Sequence, residues 1–214
     1  MLLSGDLHGN ALGELNCLSL EHLCAKWGEA VLQEKYLVIL GDAGFLWDES
    51  GSKGGALLQA FDAMPWTTLC VAGNHEQFPK IYNESNHTVL MGQEFYQISD
   101  KVFYFKRYGS YQLEGRSFLV LGGARSIDRE YRVQGESWFP EEVLSVAEQE
   151  DILQHYTGHY AAVLAHTLPA RAIPKLVRYP QFEKHDPNAY FLMSCCPSST
   201  LRSGSAGTGM STKK

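Results

Sequence analysis

The chain has no block of lysine and arginine. Its 18 Lys and Arg stand against 24 Asp and Glu in 214 residues, for a net charge of −6. A groove that tracks the phosphates of duplex DNA or RNA needs clustered cations, so no duplex nucleic-acid footprint is expected. A compact anionic substrate stays open, because bound cations outweigh the acidity of a local site. Long apolar runs are missing too: none reaches the ~18 residues that cross a bilayer. The first residues lack a basic segment followed by an apolar one, so no membrane partner and a cytoplasmic location are expected. Cysteine is sparse and unpatterned. Cys17, Cys24, Cys70, Cys195 and Cys196 form neither zinc-finger nor CxxC spacing, which reads as reduced, mostly buried thiols. There is no internal repeat, and the oligomeric state is not legible.

What is present is a globular balance, 44% hydrophobic and 20% charged. Met1–Ser4 reads as a short strand running into Gly5-Asp6-Leu7-His8-Gly9-Asn10. Leu12, Leu15, Leu20, Leu23 and Trp27 recur at mostly helical intervals, and Gly28 stops the pattern. Tyr36–Leu40 and Thr67–Ala72 are continuous apolar runs, the mark of strands buried on both faces, with a helix predicted over Ala56–Met64 between them. Val102–Phe105, Tyr111–Leu113 and Ser117–Leu121 read as a short antiparallel meander. A helix over Pro140–His155 and a strand over Ala161–Ala165 follow. The alternation predicts an α/β sheet.

The chemistry lies where the strands end. Asp6 and His8, Asp42, Asn74 and His75, and His166 each follow an apolar run. In open α/β sheets ligands bind at the carboxyl ends of strands, so residues far apart in sequence can converge there. Glycines beside the first three groups permit tight turns. Carboxylate, imidazole and amide oxygen form a donor set suited to Mn²⁺, Fe or Zn²⁺. A shared carboxylate can bridge the two ions of a two-metal site.

Asp6-x-His8, Gly41-Asp42, Gly73-Asn74-His75-Glu76 and the later His166 resemble, in order and approximate spacing, the calcineurin-like metallophosphoesterase superfamily. The resemblance covers about residues 1–170. It implies two packed mixed β-sheets flanked by helices, an α+β four-layer sandwich with the metal site at the C-terminal ends of strands. It implies a dinuclear centre of divalent ions. Asp6 and His8 would hold the first, Asn74 and His166 the second, and Asp42 would bridge both. His75 would be catalytic, as general acid or transition-state stabiliser. A metal-activated hydroxide would attack a phosphate mono- or diester in line. The partner is then a small phosphorylated substrate. Arg125, in Gly122-Gly123-Ala124-Arg125-Ser126, is a candidate for substrate binding, since a guanidinium forks onto phosphate oxygens; Arg129 and Arg132 are weaker ones. Glu76 is read as structural, and Trp47, Trp66 and Trp138 as core or rim.

Two departures from the family pattern stand out. Many relatives carry a second Asp three residues after the bridging one; here that place is Phe45. The closing Gly-His-x-His is missing, since Gly158-His159-Tyr160-Ala161 lacks the second His and precedes His166. Residues 1–185 are therefore read as the phosphoesterase domain and 186–214 as a segment without structure or aberrant. Read one base early from Ser203, the codons permit Trp-Phe-Cys-Gly-His-Trp-His-Val-Asp, which contains the missing element. The expectation is a frameshifted tail, and with it one metal or none. The rival readings are an inactive or weakly active homologue that keeps the fold, a nucleotide hydrolase or nuclease, and a protein Ser/Thr phosphatase, the last weakened by Phe45.

Overall fold

The apolar runs at 36–40 and 67–71 become neighbouring parallel strands at the centre of a six-stranded sheet. The computed structural model describes residues 1–12, 18–47, 52–176 and 186–195. In chain order the regular elements are β1 (Leu2–Ser4), α1 (Leu20–Trp27), β2 (Tyr36–Leu40), α2 (Ser52–Asp62), β3 (Thr67–Val71), α3 (Phe78–Ile81), β4 (His87–Leu90), β5 (Gln93–Gln97), β6 (Val102–Phe105), β7 (Tyr108–Leu113), β8 (Arg116–Leu121), α4 (Val146–His155), β9 (Ala162–Ala165), α5 (Ile173–Leu176) and α6 (Pro187–Cys195). The large sheet runs β1-β2-β3-β6-β5-β4 and the small one β7-β8-β9. Both are mixed: β1, β2, β3 and β6 are parallel, β5 and β4 antiparallel; β8 pairs antiparallel with β7 and parallel with β9.

Alternation along the strands sorts the apolar side chains into layers. One face of the large sheet (Leu37, Ile39, Cys70, Val102, Tyr104) packs with Leu23 of α1 and Leu57 and Phe61 of α2. Its other face (Val38, Leu40, Leu69, Val71, Phe103, Phe105) meets Tyr111, Leu113, Phe118, Val120 and Leu164 of the small sheet. The outer face of the small sheet (Leu119, Leu121) is covered by Ile152 of α4 and by Phe191 and Leu192 of α6. Helix, sheet, sheet, helix is the four-layer sandwich the resemblance implies.

Several local expectations change. Helix α1 begins at Leu20 because Ser19 caps it, accepting from the His22 backbone N–H at 3.3 Å. The helix predicted over 140–155 starts at Val146, where Ser145 and Glu148 form a capping box. The expected meander is two structures: β6 belongs to the large sheet, while β7 and β8 are a hairpin of the small one, turned through Glu114 and Gly115 with φ 50° and 72°. A hairpin not foreseen, β4–β5, turns through Met91 and Gly92 with φ 55° and 72°. The segment from 186, expected to lack structure, opens with α6, whose Ala189, Phe191 and Leu192 are buried. Residues 196–214, with the suspected frameshift, lie outside the described residues. Of the cysteines described, Cys70 is fully buried and burial pushes its thiol up, while Cys24 and Cys195 are half-buried. No helix among the described residues is long and apolar enough to cross a membrane.

Candidate metal centre

Because β1, β2 and β3 are parallel, the loops that leave them emerge at one edge of the large sheet. The first two loops continue side by side: the backbone N–H groups of Asp6, His8 and Gly9 donate to the carbonyls of Gly41, Asp42 and Ala43 at 3.1, 2.8 and 3.2 Å. The fourth contribution comes from the small sheet. His166, just past β9, reaches across so that its Nδ1 lies 2.9 Å from the Leu40 carbonyl. A carbonyl only accepts, so Nδ1 carries the proton and Nε2 is turned toward the other candidates.

All five predicted ligands meet. His8 Nε2 lies 2.8 Å from Asp6 Oδ1 and 3.7 Å from Asp42 Oδ2. His166 Nε2 lies 3.6 Å from the same Asp42 oxygen and 2.9 Å from Asn74 Oδ1. Ligand atoms of His8, Asp42 and His75, and separately those of Asp6, Asp42 and His166, fall within 4.8 Å of one another. Asp42 belongs to both groups. By shortest distance Asp6 stands beside His8 and Asn74 beside His166, while the two sets of three put Asp6 with His166 and His75 with His8. The donor set fits divalent cations: with Nδ1–H given to Leu40, the His166 ring and the Asn74 carbonyl aim lone pairs at one spot beside a buried carboxylate.

The backbone is strained at these positions. Asp6, His8 and Asp42 have φ of 59°, 47° and 51°, left-handed values that non-glycine residues rarely adopt and that collect at functional sites. Asp42 is 2% exposed. Its Oδ1 accepts the His75 backbone N–H at 2.9 Å, which leaves Oδ2 facing the histidines. The hydrogen bond between Asp6 and His8 holds the Asp6 carboxyl below its ordinary range and raises the His8 imidazole. Burial pulls the His75 imidazole down.

Behind Asp42 sits Glu76, buried, accepting from the Ala43 N–H at 3.0 Å and from the Tyr104 hydroxyl at 3.2 Å. It anchors the Asp42 loop, the structural part expected of it. Burial, and then the Asp42 charge, push its carboxyl from 4.5 up to about 8. A raised folded-state pKa means that protonation favours the fold. The contribution is full below about 4.5 and is lost as pH rises through about 8. In chelator-treated protein the urea midpoint should therefore fall across that window, and Glu76→Gln should flatten the decline. A wild-type midpoint that stays level would contradict this.

Several residues at the site were not picked out from sequence. Trp47, read as core or rim, stacks edge-on against His8 at 5.1 Å between centroids and lies 5.9 Å from His75, at the rim of the site. Asp128 Oδ1 sits 3.5 Å from His75 Nε2 and 3.6 Å from Arg132 Nη1. Ser126 and Glu142 connect to Asn74. Arg125 is exposed, and its backbone N–H donates to Asp186 at 3.1 Å; the guanidinium seen against the cluster is that of Arg132. Phe45, where many relatives carry a second Asp, is 1% exposed and packs edge-on against Phe61. Trp66 is core, and Trp138 lies under the Arg129 guanidinium at 4.6 Å. His155 and His159 are exposed, and His155 pairs with Asp151.

A family model described as calcineurin-like phosphoesterase matches residues 1–190. No curated protein matches the chain.

Proposed function

The chain belongs to the calcineurin-like phosphoesterase family, and on that footing we propose that it hydrolyses a phosphate mono- or diester of a small substrate at a dinuclear centre of Mn²⁺, Fe or Zn²⁺. The observation that carries this reading is Asp42, one buried carboxylate shared by two groups of ligand atoms. Asp6, His8, Asn74 and His166 complete the donors around it. Bound divalent ions supply Lewis-acid charge for the phosphoryl oxygens and a water of lowered pKa.

The remaining steps fall to the protein. Asp42 would hold the divalent ions through Oδ2, and its Oδ1 fixes the His75 backbone. His75 is the proposed catalytic residue: its ring stands 5.3 Å from the His8 ring, at the edge of the cluster, with Nε2 toward Asp128. From there Nε2 can give a proton to the departing oxygen. Trp47 screens the two rings from water on one side. Arg125, exposed on the loop that carries Ser126, is the proposed contact for a phosphate oxygen.

The test is hydrolysis of bis(p-nitrophenyl) phosphate and p-nitrophenyl phosphate by the full chain, with Mn²⁺ and after chelation. Turnover that appears with metal and vanishes with chelator is expected. His75→Asn should retain the metal and lose roughly 10²–10⁴-fold in kcat, the range for a positioned proton donor. A metal-loaded chain inert toward both esters overturns the proposal.

A further inference from the structure

Glu142 is a carboxylate with 0% exposure that belongs to none of the ligand loops. Buried carboxylates are retained only where hydrogen bonds compensate them. Here both compensating donors come from one residue. The Ser126 backbone N–H donates to Oε1 at 2.9 Å and the Ser126 hydroxyl to Oε2 at 2.6 Å. The hydroxyl has then used its single proton and faces its other neighbours as an acceptor. Asn74 Nδ2 donates to it at 2.8 Å, and Arg132 Nη1 does so at 3.2 Å. With its amide nitrogen committed, Asn74 turns Oδ1 toward His166 Nε2, 2.9 Å away.

The arrangement is locked from behind. The Glu142 carbonyl accepts from Asn188 Nδ2 of α6 at 3.2 Å. Gly123 passes so close that a Cβ there would sit 2.1 Å from the same carbonyl. The loop after β8 is thus tied both to β3, through the Gly123 N–H on the Ala72 carbonyl at 2.7 Å, and to the helix layer.

An asparagine amide has two faces of similar shape, and only the oxygen has a lone pair for a cation. We infer that Glu142 and Ser126 are positioning residues, a buried relay that fixes the flip of Asn74 so that its carbonyl oxygen faces the cation position. The inference rests on the metal reading proposed above and adds two residues, both on the connection between β8 and α4, to what that reading requires.

The test is calorimetric titration of the full chain with Mn²⁺. Removing partners that orient a metal ligand costs about 10–100-fold in affinity. Ser126→Ala should weaken Mn²⁺ binding by that factor while circular dichroism stays that of the wild type. Glu142→Gln, which reverses the polarity at Ser126, should do the same and serves if Ser126→Ala does not fold. The deciding background is Asn74→Asp. Its two equivalent oxygens make the flip irrelevant, so Ser126→Ala should no longer weaken binding there, an outcome that a merely structural serine would not produce. The relay is overturned if Ser126→Ala binds Mn²⁺ like wild type, or loses the same factor in both backgrounds. A wild-type chain without Mn²⁺ affinity overturns the metal reading and the relay together.

Discussion

Asp42→Asn should cost at least about 100-fold in metal affinity and in turnover, more than any other single ligand change. Residues that merely orient a metal ligand already cost about 10–100-fold, and Asp42 belongs to both groups of candidate ligand atoms. Asparagine is the informative replacement. It tolerates the left-handed φ of 51° better than other residues, and its amide oxygen can still accept the His75 backbone N–H in place of Oδ1. The fold is kept while the shared negative charge is removed. Asp6→Asn and His166→Asn should each spare one of the two groups, so their metal loss should be partial. Calorimetry with Mn²⁺ on the three variants checks the ranking, and equal losses for all three would contradict a bridging role for Asp42.

The second large effect is expected at Gly73, which has no side chain and whose backbone bonds the buried Glu76 carboxylate. A Cβ there would lie 2.0 Å from Asp42 Oδ1 and 2.5 Å from the Asp42 backbone nitrogen. Neither neighbour can give way cheaply. The carboxylate is buried and hydrogen-bonded, and the backbone is joined to the loop after β1 through the His8 N–H. Gly73→Ala should thus move Asp42. Overpacking of this kind costs about 1–3 kcal/mol, roughly 3–10 °C in melting temperature for a chain this long. The metal-binding loss should approach that of Asp42→Asn. Gly41→Ala should act in the same way on His166: its Cβ would meet that ring at 2.3 Å, and its φ of 94° adds backbone strain. Thermal melts with and without Mn²⁺ separate the two costs. A Gly73→Ala protein with wild-type metal affinity would show that the Asp42 position is not set by this close approach.

The site was legible in sequence because each candidate ligand closely follows a strand, and two of those strands, β2 and β3, are buried on both faces and write continuous apolar runs. Tyr36–Leu40 and Thr67–Val71 were visible for that reason, and with them Asp42, Asn74 and His75. Where burial is one-sided the signal weakened. Strand β4 alternates exposed and half-buried residues and β5 is flanked by glutamines, so the hairpin went unseen although Met91-Gly92 marks its turn. Pairing was harder still: the sequence groups β6 with β7 and β8, whereas its partners are β3 and β5.

Side chains that act through a ligand left no pattern. Ser126 and Glu142 are separated from Asn74 by 52 and 68 residues, and nothing local tells a serine that orients an amide from one in a turn. The segment Gly122–Ser126 stood out only through its arginine, and it is the serine beside it that touches a ligand. Asp128 escaped notice for the same reason: its link to His75 exists only in three dimensions. Ser145 and Glu148, by contrast, carried a readable capping signature that would have corrected the start of α4.

The central claim is that cations gather around Asp42. Anomalous scattering from crystals grown with Mn²⁺ tests it most directly. The expected result is two peaks about 3.5–4 Å apart, both within bonding reach of Asp42, one beside His8 and the other beside His166 and Asn74. A fully loaded crystal with no peak there, or with a peak whose ligands leave out Asp42, would contradict it.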